Sequence, residues 1–215
     1  MTATQYVICA LFGYLMGGFS SAITLSMYFG NGDIRSVGSG NAGATNMLRN
    51  YGWRMGLLTF GCDVLKGFLA TWIGLWAFGE TAAVICGVCA VIGHTFPIYY
   101  GFKGGKGISA SIGMMLMLAP IPMLVVTLLM GIIVYLTRTV SVGSIGGNLL
   151  MVLAVWCFYS DHLALCIGVT FVLCMNLFSH RANIVRLFKG TENKMNWKDL
   201  SAHSRVELRA KKREE

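Results

Sequence analysis

The chain has 215 residues, of which 55% are hydrophobic and only 12% charged, with a formal net charge of +8. A soluble domain carries about a quarter charged residues, so this composition argues against an ordinary soluble fold and for a polytopic membrane protein. The positive balance makes anionic lipid or an anionic substrate the expected partner, and no nucleic-acid partner is expected.

Long apolar runs occupy 6–29, 55–78, 82–99, 108–136, 141–159 and 162–179. Each is about long enough to cross ~30 Å of hydrocarbon at ~1.5 Å per residue. Pro120 and Pro122 fall inside the overlong 108–136 run, which therefore divides into helices at 108–119 and 121–137. Charge supports the resulting seven crossings. Loop 30–54 with Arg35, Arg49 and Arg54, loop 100–107 with Lys103 and Lys106, Arg138 and the tail from Arg181 then share one side, and the opposite segments carry no Lys or Arg. With six crossings, Arg138 and the basic tail would lie opposite the other basic loops. The expected fold is thus an all-α integral membrane protein of seven transmembrane helices, N-terminus outside and C-terminus cytoplasmic. A membrane domain at 1–190 is followed by a basic cytoplasmic tail at 191–215, lying near anionic headgroups. The first run has no basic residue before it and is too long for a signal-peptide core, so it reads as a retained span. The seven cysteines lie in apolar stretches and read as small packing residues; Cys86 and Cys89 form C-x-x-C, but no Cys/His pair nearby completes a metal site.

The two longest polar interruptions both fall on the cytoplasmic side. The first, DIRSVGSGNAGATNMLR at 33–49, places Ser39, Asn41, Thr45 and Asn46 among glycines and alanines, between Arg35 and Arg49. The second, GFKGGKG at 101–107, opens directly into a helix near Ile108. Glycines let successive backbone amides converge on an anion, a helix N-terminus adds free donors, and Lys and Arg add full charge. Two such loops on one face point to two phosphate groups held close together. A bland turn whose lysines merely satisfy topology is the alternative for either loop.

Gly38, Gly40 and Gly43 also match the G-x-G-x-x-G dinucleotide fingerprint, with Asp63 about twenty residues on. That reading fails on context, because a membrane span precedes the glycines and Asp63 lies inside the next one. A Walker loop fails because Gly107 follows Lys106, and no H-x-x-x-x-D acyltransferase pair exists at any histidine. Asp63 and Lys66 are three apart on one face of an apolar helix and can pair, as a functional element or a structural one. His94 opens GHTFP shortly before the second loop. In HRANIVRLFKGTE at 180–192, His180, Asn183 and Arg186 recur every three residues, so a helix places them on one face. His162 and His203 read as structural.

These motifs together resemble the acyl-phosphate-dependent glycerol-3-phosphate acyltransferases of bacterial membranes. The stretches DIRSVGSGNAGATNMLR, Asp63-x-x-Lys66-Gly67, GHTFPIYYGFKGGKG and HRANIVRLFKGTE stand in that family's order and spacing over most of the chain. The resemblance implies a seven-helix enzyme of the inner membrane with its active site facing the cytoplasm. It also implies the reaction, in which an acyl chain passes from acyl phosphate to the 1-hydroxyl of glycerol 3-phosphate, giving lysophosphatidic acid and phosphate. On that reading Ser39, Gly40, Asn41, Gly43, Thr45, Asn46 and Arg49 hold one phosphate, and Lys103, Gly104, Gly105, Lys106 and Gly107 hold or bridge to the other. His94, His180 or Asn183 orients the attacking hydroxyl, with Arg35, Asp63, Lys66, Arg186 and Glu192 in support; alternatively a substrate phosphate takes the proton. No metal or cofactor is expected. The chain departs from the family in its first helix, where Gly17-Gly18-Phe19-Ser20 replaces Gly-Ser-Ile-Pro, and after the second loop, where Ile108-Ser109-Ala110 replaces Val-Ala-Thr. A transporter for a phosphorylated solute is the main rival reading, although no internal repeat of the kind many transporters show is visible. A non-catalytic scaffold is a third.

Overall fold

The computed structural model describes residues 1–30 and 32–195, and the regular elements among them are all helical. The first apolar run is broken. Helix α1 (Ala3–Gly18) ends at an extended Phe19 (φ −64°, ψ 119°) and α2 (Ser21–Gly30) starts afresh, although no proline enforces the stop. The break is stabilised from outside, since Lys66 Nζ donates to the freed Phe19 carbonyl at 2.7 Å.

Helix α3 (Ala44–Phe78) begins well before the apolar run it contains. Gly52, at φ 83° and ψ 174°, kinks it between a short entry helix and the span proper, a conformation open to glycine and strained for other residues. Helix α4 (Glu80–Thr95) leads through a 3₁₀ turn at Ile98–Tyr100 to α5 (Ile108–Leu118) and α6 (Pro120–Thr137). The division at the prolines falls where expected, with Pro120 in the first turn of α6, where its missing N–H costs no hydrogen bond. Helices α7 (Val140–Phe158), α8 (Leu163–Ser179) and α9 (Arg181–Phe188) complete the chain, with a 61° bend between the last two.

By length and composition five helical segments can cross a membrane, or six if the bent α8–α9 pair is one span. The difference from seven lies in α5, an apolar helix of 11 residues, about 16 Å long and so about half the hydrocarbon thickness. Of the expected basic tail only 191–195 lies within the described residues, and His203 lies outside them.

Glycines let the helices approach closely. A side chain at Gly13 or Gly17 of α1 would run into the backbone of Cys86 or Ala90 on α4, and one at Gly67 or Gly113 would strike the facing backbone at Ala110 or Val64 across the α3–α5 contact. This is how membrane helices associate where burial from water supplies no force, by backbone approach and dispersion. Outside, Trp76 is 83% and Ile121 74% exposed, an apolar surface suited to lipid. The seven cysteines are all free thiols; Cys9, Cys86 and Cys166 pack inside, whereas Cys157 and Cys174 face outward.

Candidate active site

The 33–49 loop is organised by Asn46, which is buried. Its Nδ2 donates to the carbonyls of Ile34, Val37 and Asn41 at 3.1–3.2 Å, and its Oδ1 accepts from the Ser39 amide at 3.1 Å and from Asn50 at 2.9 Å. The side chain therefore shapes the loop, with its donors and acceptor already engaged. Gly38 (φ 61°) makes this possible, because a Cβ there would strike the Asn46 and Asn50 amides. Gly40, at φ 70°, turns the chain beside it. Arg35 joins the two loops: it pairs with Asp33 at 2.7 Å and donates to the Tyr100 and Lys103 carbonyls. Hydrogen bonding to this guanidinium holds the Asp33 carboxyl below its usual range.

The second loop differs from an open nest. The amides of Gly104 and Gly105 donate to the carbonyls of Thr95 and His94 at 3.2 and 3.0 Å. Their missing side chains matter for fit, since a Cβ on Gly105 would enter the His94 ring and one on Gly107 (φ 90°) would strike Asn176. Lys103 is exposed, whereas Lys106 turns inward toward Asn183 Oδ1.

Asp63 is buried and its pairing with Lys66 is present at 2.9 Å, joined by Ser21 Oγ, which donates at 2.7 Å. His94 Nδ1 stands 3.6 Å from the same carboxylate oxygen, while Asp63 Oδ2 has no hydrogen-bond partner among the described residues. His162 pairs with Glu80 at 2.7 Å, away from this cluster.

On α9 the three-residue spacing delivers its promise. Asn183 Nδ2 donates to Ser141 Oγ (2.8 Å) and Glu192 Oε1 (2.7 Å), Ser141 Oγ donates to Glu192 Oε1 (2.8 Å), and Arg186 Nε donates to Glu192 Oε2 (2.7 Å). Ser141 and Glu192, the acceptors of its Nδ2, orient Asn183 so that its Oδ1 faces Lys106. Burial alone would raise the Glu192 carboxyl, but hydrogen bonds from Asn183, Ser141 and Arg186 outweigh it and hold the group below its usual range. Burial brings the Lys106 ammonium down to about 8, opposed by Glu192 and reinforced by Arg186 and Arg49. His180 Nδ1 lies 2.8 Å from the Asn176 carbonyl. A carbonyl only accepts, so Nδ1 carries the proton and Nε2 is left as an acceptor.

These groups converge on one cavity of about 430 Å³. Its polar end brings together Ser39, Asn41, Gly43, Thr45, Asn46, Arg49, Asp63, His94, Lys106, His180, Asn183, Arg186 and Glu192. Gly40, Lys66, Lys103, Gly104, Gly105, Gly107 and Arg35 of the expected set lie outside its lining. Two helices open onto the cavity, α3 at Ala44 and α5 at Ile108, and each has a glycine N-cap without a side-chain cap. Their first-turn amides are thus unprovided for by side chains and suited to an anion. The remaining lining is largely apolar, with Phe60, Ile108, Ile112, Met130, Val134 and Val140 beside Ser109, Thr127, Ser141, Ser144 and Asn193. Sequence reasoning missed Ser141, Ser21 and this wall. The serine-glycine cluster at the start of α7, SVGS just after Arg138, was the available signal for Ser141.

The model of the family described as glycerol-3-phosphate acyltransferase matches residues 7–190. A glycerol-3-phosphate acyltransferase of Thermoanaerobacter sp. (strain X514) is 39% identical over 192 residues, covering 89% of this chain and 96% of the relative. That of Finegoldia magna is 39% identical, covering 91% and 98%. Among solved structures, the integral membrane glycerol 3-phosphate acyltransferase PlsY in its glycerol 3-phosphate form superposes with a TM-score of 0.85 at 31% identity, covering 91% of this chain and 98% of that one. The lysophosphatidic acid form of PlsY gives 0.81 at 29% identity, covering 89% and 95%.

Proposed function

Because the chain belongs to the glycerol-3-phosphate acyltransferase family, we propose that it transfers an acyl chain from acyl phosphate to the 1-hydroxyl of glycerol 3-phosphate. The products are lysophosphatidic acid and inorganic phosphate. The observation that carries this reading is a single cavity receiving two uncapped helix N-termini together with Arg49, Lys106 and Arg186, against an apolar wall. Two phosphates and one acyl chain match that equipment. PlsY has been solved in forms with glycerol 3-phosphate and with lysophosphatidic acid, which supports the same acceptor and product here.

The α3 N-terminus with Ser39, Asn41, Thr45 and Arg49 grips one phosphate, and the α5 N-terminus with Lys106 grips the other. Glu192, Ser141 and Arg186 hold Asn183 against Lys106, so the ammonium is positioned before substrate arrives. His94 and Asp63 brace the floor, and Asn46 and Arg35 hold the loops. The hydroxyl oxygen attacks the acyl carbonyl, the bond from that carbon to the phosphate oxygen breaks, and phosphate leaves. The hydroxyl proton passes to His180 Nε2 or to the departing phosphate. Acyl phosphate is a mixed anhydride, so no protein nucleophile is needed, and positioning and charge neutralisation supply the acceleration.

The one-sided distribution of the basic loops supports a site facing the cytoplasm at a bacterial inner membrane, in a chain of seven crossings with α5 the short one and the N-terminus outside. The test is purified protein in lipid with labelled glycerol 3-phosphate and acyl phosphate, acyl-CoA or acyl-carrier protein in turn. Lysophosphatidic acid from acyl phosphate alone is expected; product from either thioester, or none from any donor, rejects the proposal.

A further inference from the structure

The apolar wall of the main cavity does not end at α6. A second, much smaller cavity, about 20 Å³, lies among α5, α6, α7 and α8, and Ile108, Ile112 and Met130 line both. Its other walls include Met115, Met123, Met151, Val169 and Val172, all buried. Its polar neighbours are already engaged: Ser111 Oγ donates to the Gly107 carbonyl at 2.9 Å, Asn148 Nδ2 donates to the Ser144 carbonyl at 2.7 Å, and Asn148 Oδ1 accepts from Asn176 at 2.9 Å. What remains on offer is thioether and branched aliphatic surface. Methionine is flexible and polarizable, and fills or vacates irregular apolar space at low cost.

Met130 stands at the junction. Its side chain lies directly over Gly147 of α7, so close that a Cβ at 147 would collide with its Cγ and Sδ. The absence of a side chain at Gly147 therefore leaves room for the Met130 side chain, which lines both cavities.

Resting on the acyl-transfer reading above, we propose that the methionine-lined cavity receives the methyl end of the donor's acyl chain, and that Met130, seated on Gly147, gauges its length. The occupant is an acyl tail because Ile108, Ile112 and Met130 line both this cavity and the substrate site. Met130→Ala removes the stop, and Gly147→Ala displaces the Met130 side chain from its seat on α7. The two substitutions shift chain-length preference in opposite directions. Each methylene newly admitted to apolar surroundings is worth about fourfold in affinity, so two are worth on the order of tenfold.

The experiment compares kcat/KM for lauroyl, myristoyl, palmitoyl and stearoyl phosphate in the wild type, Met130→Ala, Gly147→Ala and the volume-conserving Met130→Leu. Relative to wild type, Met130→Ala should favour the longest donors over the shortest by about tenfold, and Gly147→Ala should disfavour them by a similar factor. Met130→Leu should keep the wild-type length profile. Turnover in the variants with an unchanged length profile overturns the gauge while leaving the acyl-transfer reading intact. Absence of product from wild type with every donor overturns that reading itself.

Discussion

Replacing Lys106 by methionine removes the ammonium at the mouth of α5 while keeping most of its apolar stem. In the structure this group reaches Asn183 and lies within the electrostatic reach of Glu192, Arg186 and Arg49. A hydrogen bond to a charged group contributes about 1.5–3 kcal/mol, so kcat/KM for the phosphate-bearing substrates should fall by about tenfold to a hundredfold. The pH dependence is sharper. Burial lowers the ammonium to about 8, so the charge is present below that pH and is lost as pH rises through it. Because kcat/KM reports the free enzyme, it should decline on the alkaline side with a midpoint near 8. Glu192 opposes the lowering, so Glu192→Gln should move the midpoint further down. Lys106→Arg retains its charge, and whatever its absolute rate, its profile should stay flat there. Initial rates with labelled glycerol 3-phosphate and acyl phosphate across that range measure both effects. Wild-type kcat/KM in Lys106→Met, or an unchanged alkaline limb in Lys106→Arg, refutes the assignment.

Asp63→Ala leaves Lys66 without its carboxylate inside the helix bundle and should cost about 3–5 kcal/mol of stability; thermal unfolding in detergent should show only part of the loss recovered in Asp63→Ala/Lys66→Met, because Lys66 also holds the Phe19 carbonyl. Gly105→Ala should lower activity and thermal stability together, because the added methyl displaces the His94 ring at a cost of about 1–3 kcal/mol, whereas a loop serving only as a phosphate nest would lose substrate affinity alone. Lys103→Ala should retain kcat/KM within about fivefold, since an exposed charge contributes about 0–1 kcal/mol; steady-state assays beside Lys106→Met make the comparison.

Much of the site could be read from residue type and spacing. The Asp63/Lys66 pair follows from helical period, and so does the common face of His180, Asn183 and Arg186. The division of 108–136 follows from proline chemistry. What escaped reading depends on partners distant in the chain. The break at Phe19 is held by Lys66, and nothing local in Gly17-Gly18-Phe19-Ser20 demands it. The glycines of GFKGGKG suggested exposed amides, but those of Gly104 and Gly105 are bonded to residues 94 and 95, which only tertiary packing brings alongside. Asn46 is polar and sits beside glycines, as a phosphate ligand would, yet its hydrogen bonds close the loop on itself. The count of crossings turns on α5, whose 11 apolar residues satisfy the hydrophobic pattern but make a helix shorter than the other spans, a length the pattern alone does not fix.

The central claim is that one cavity holds two phosphates at once, one from each substrate. A non-hydrolysable acyl phosphonate tests it directly, through equilibrium binding of labelled glycerol 3-phosphate to the purified protein at increasing phosphonate. The account predicts that glycerol 3-phosphate remains bound when phosphonate saturates, with the acyl chain and both anions accommodated together. Mutually exclusive binding of the two ligands would contradict it.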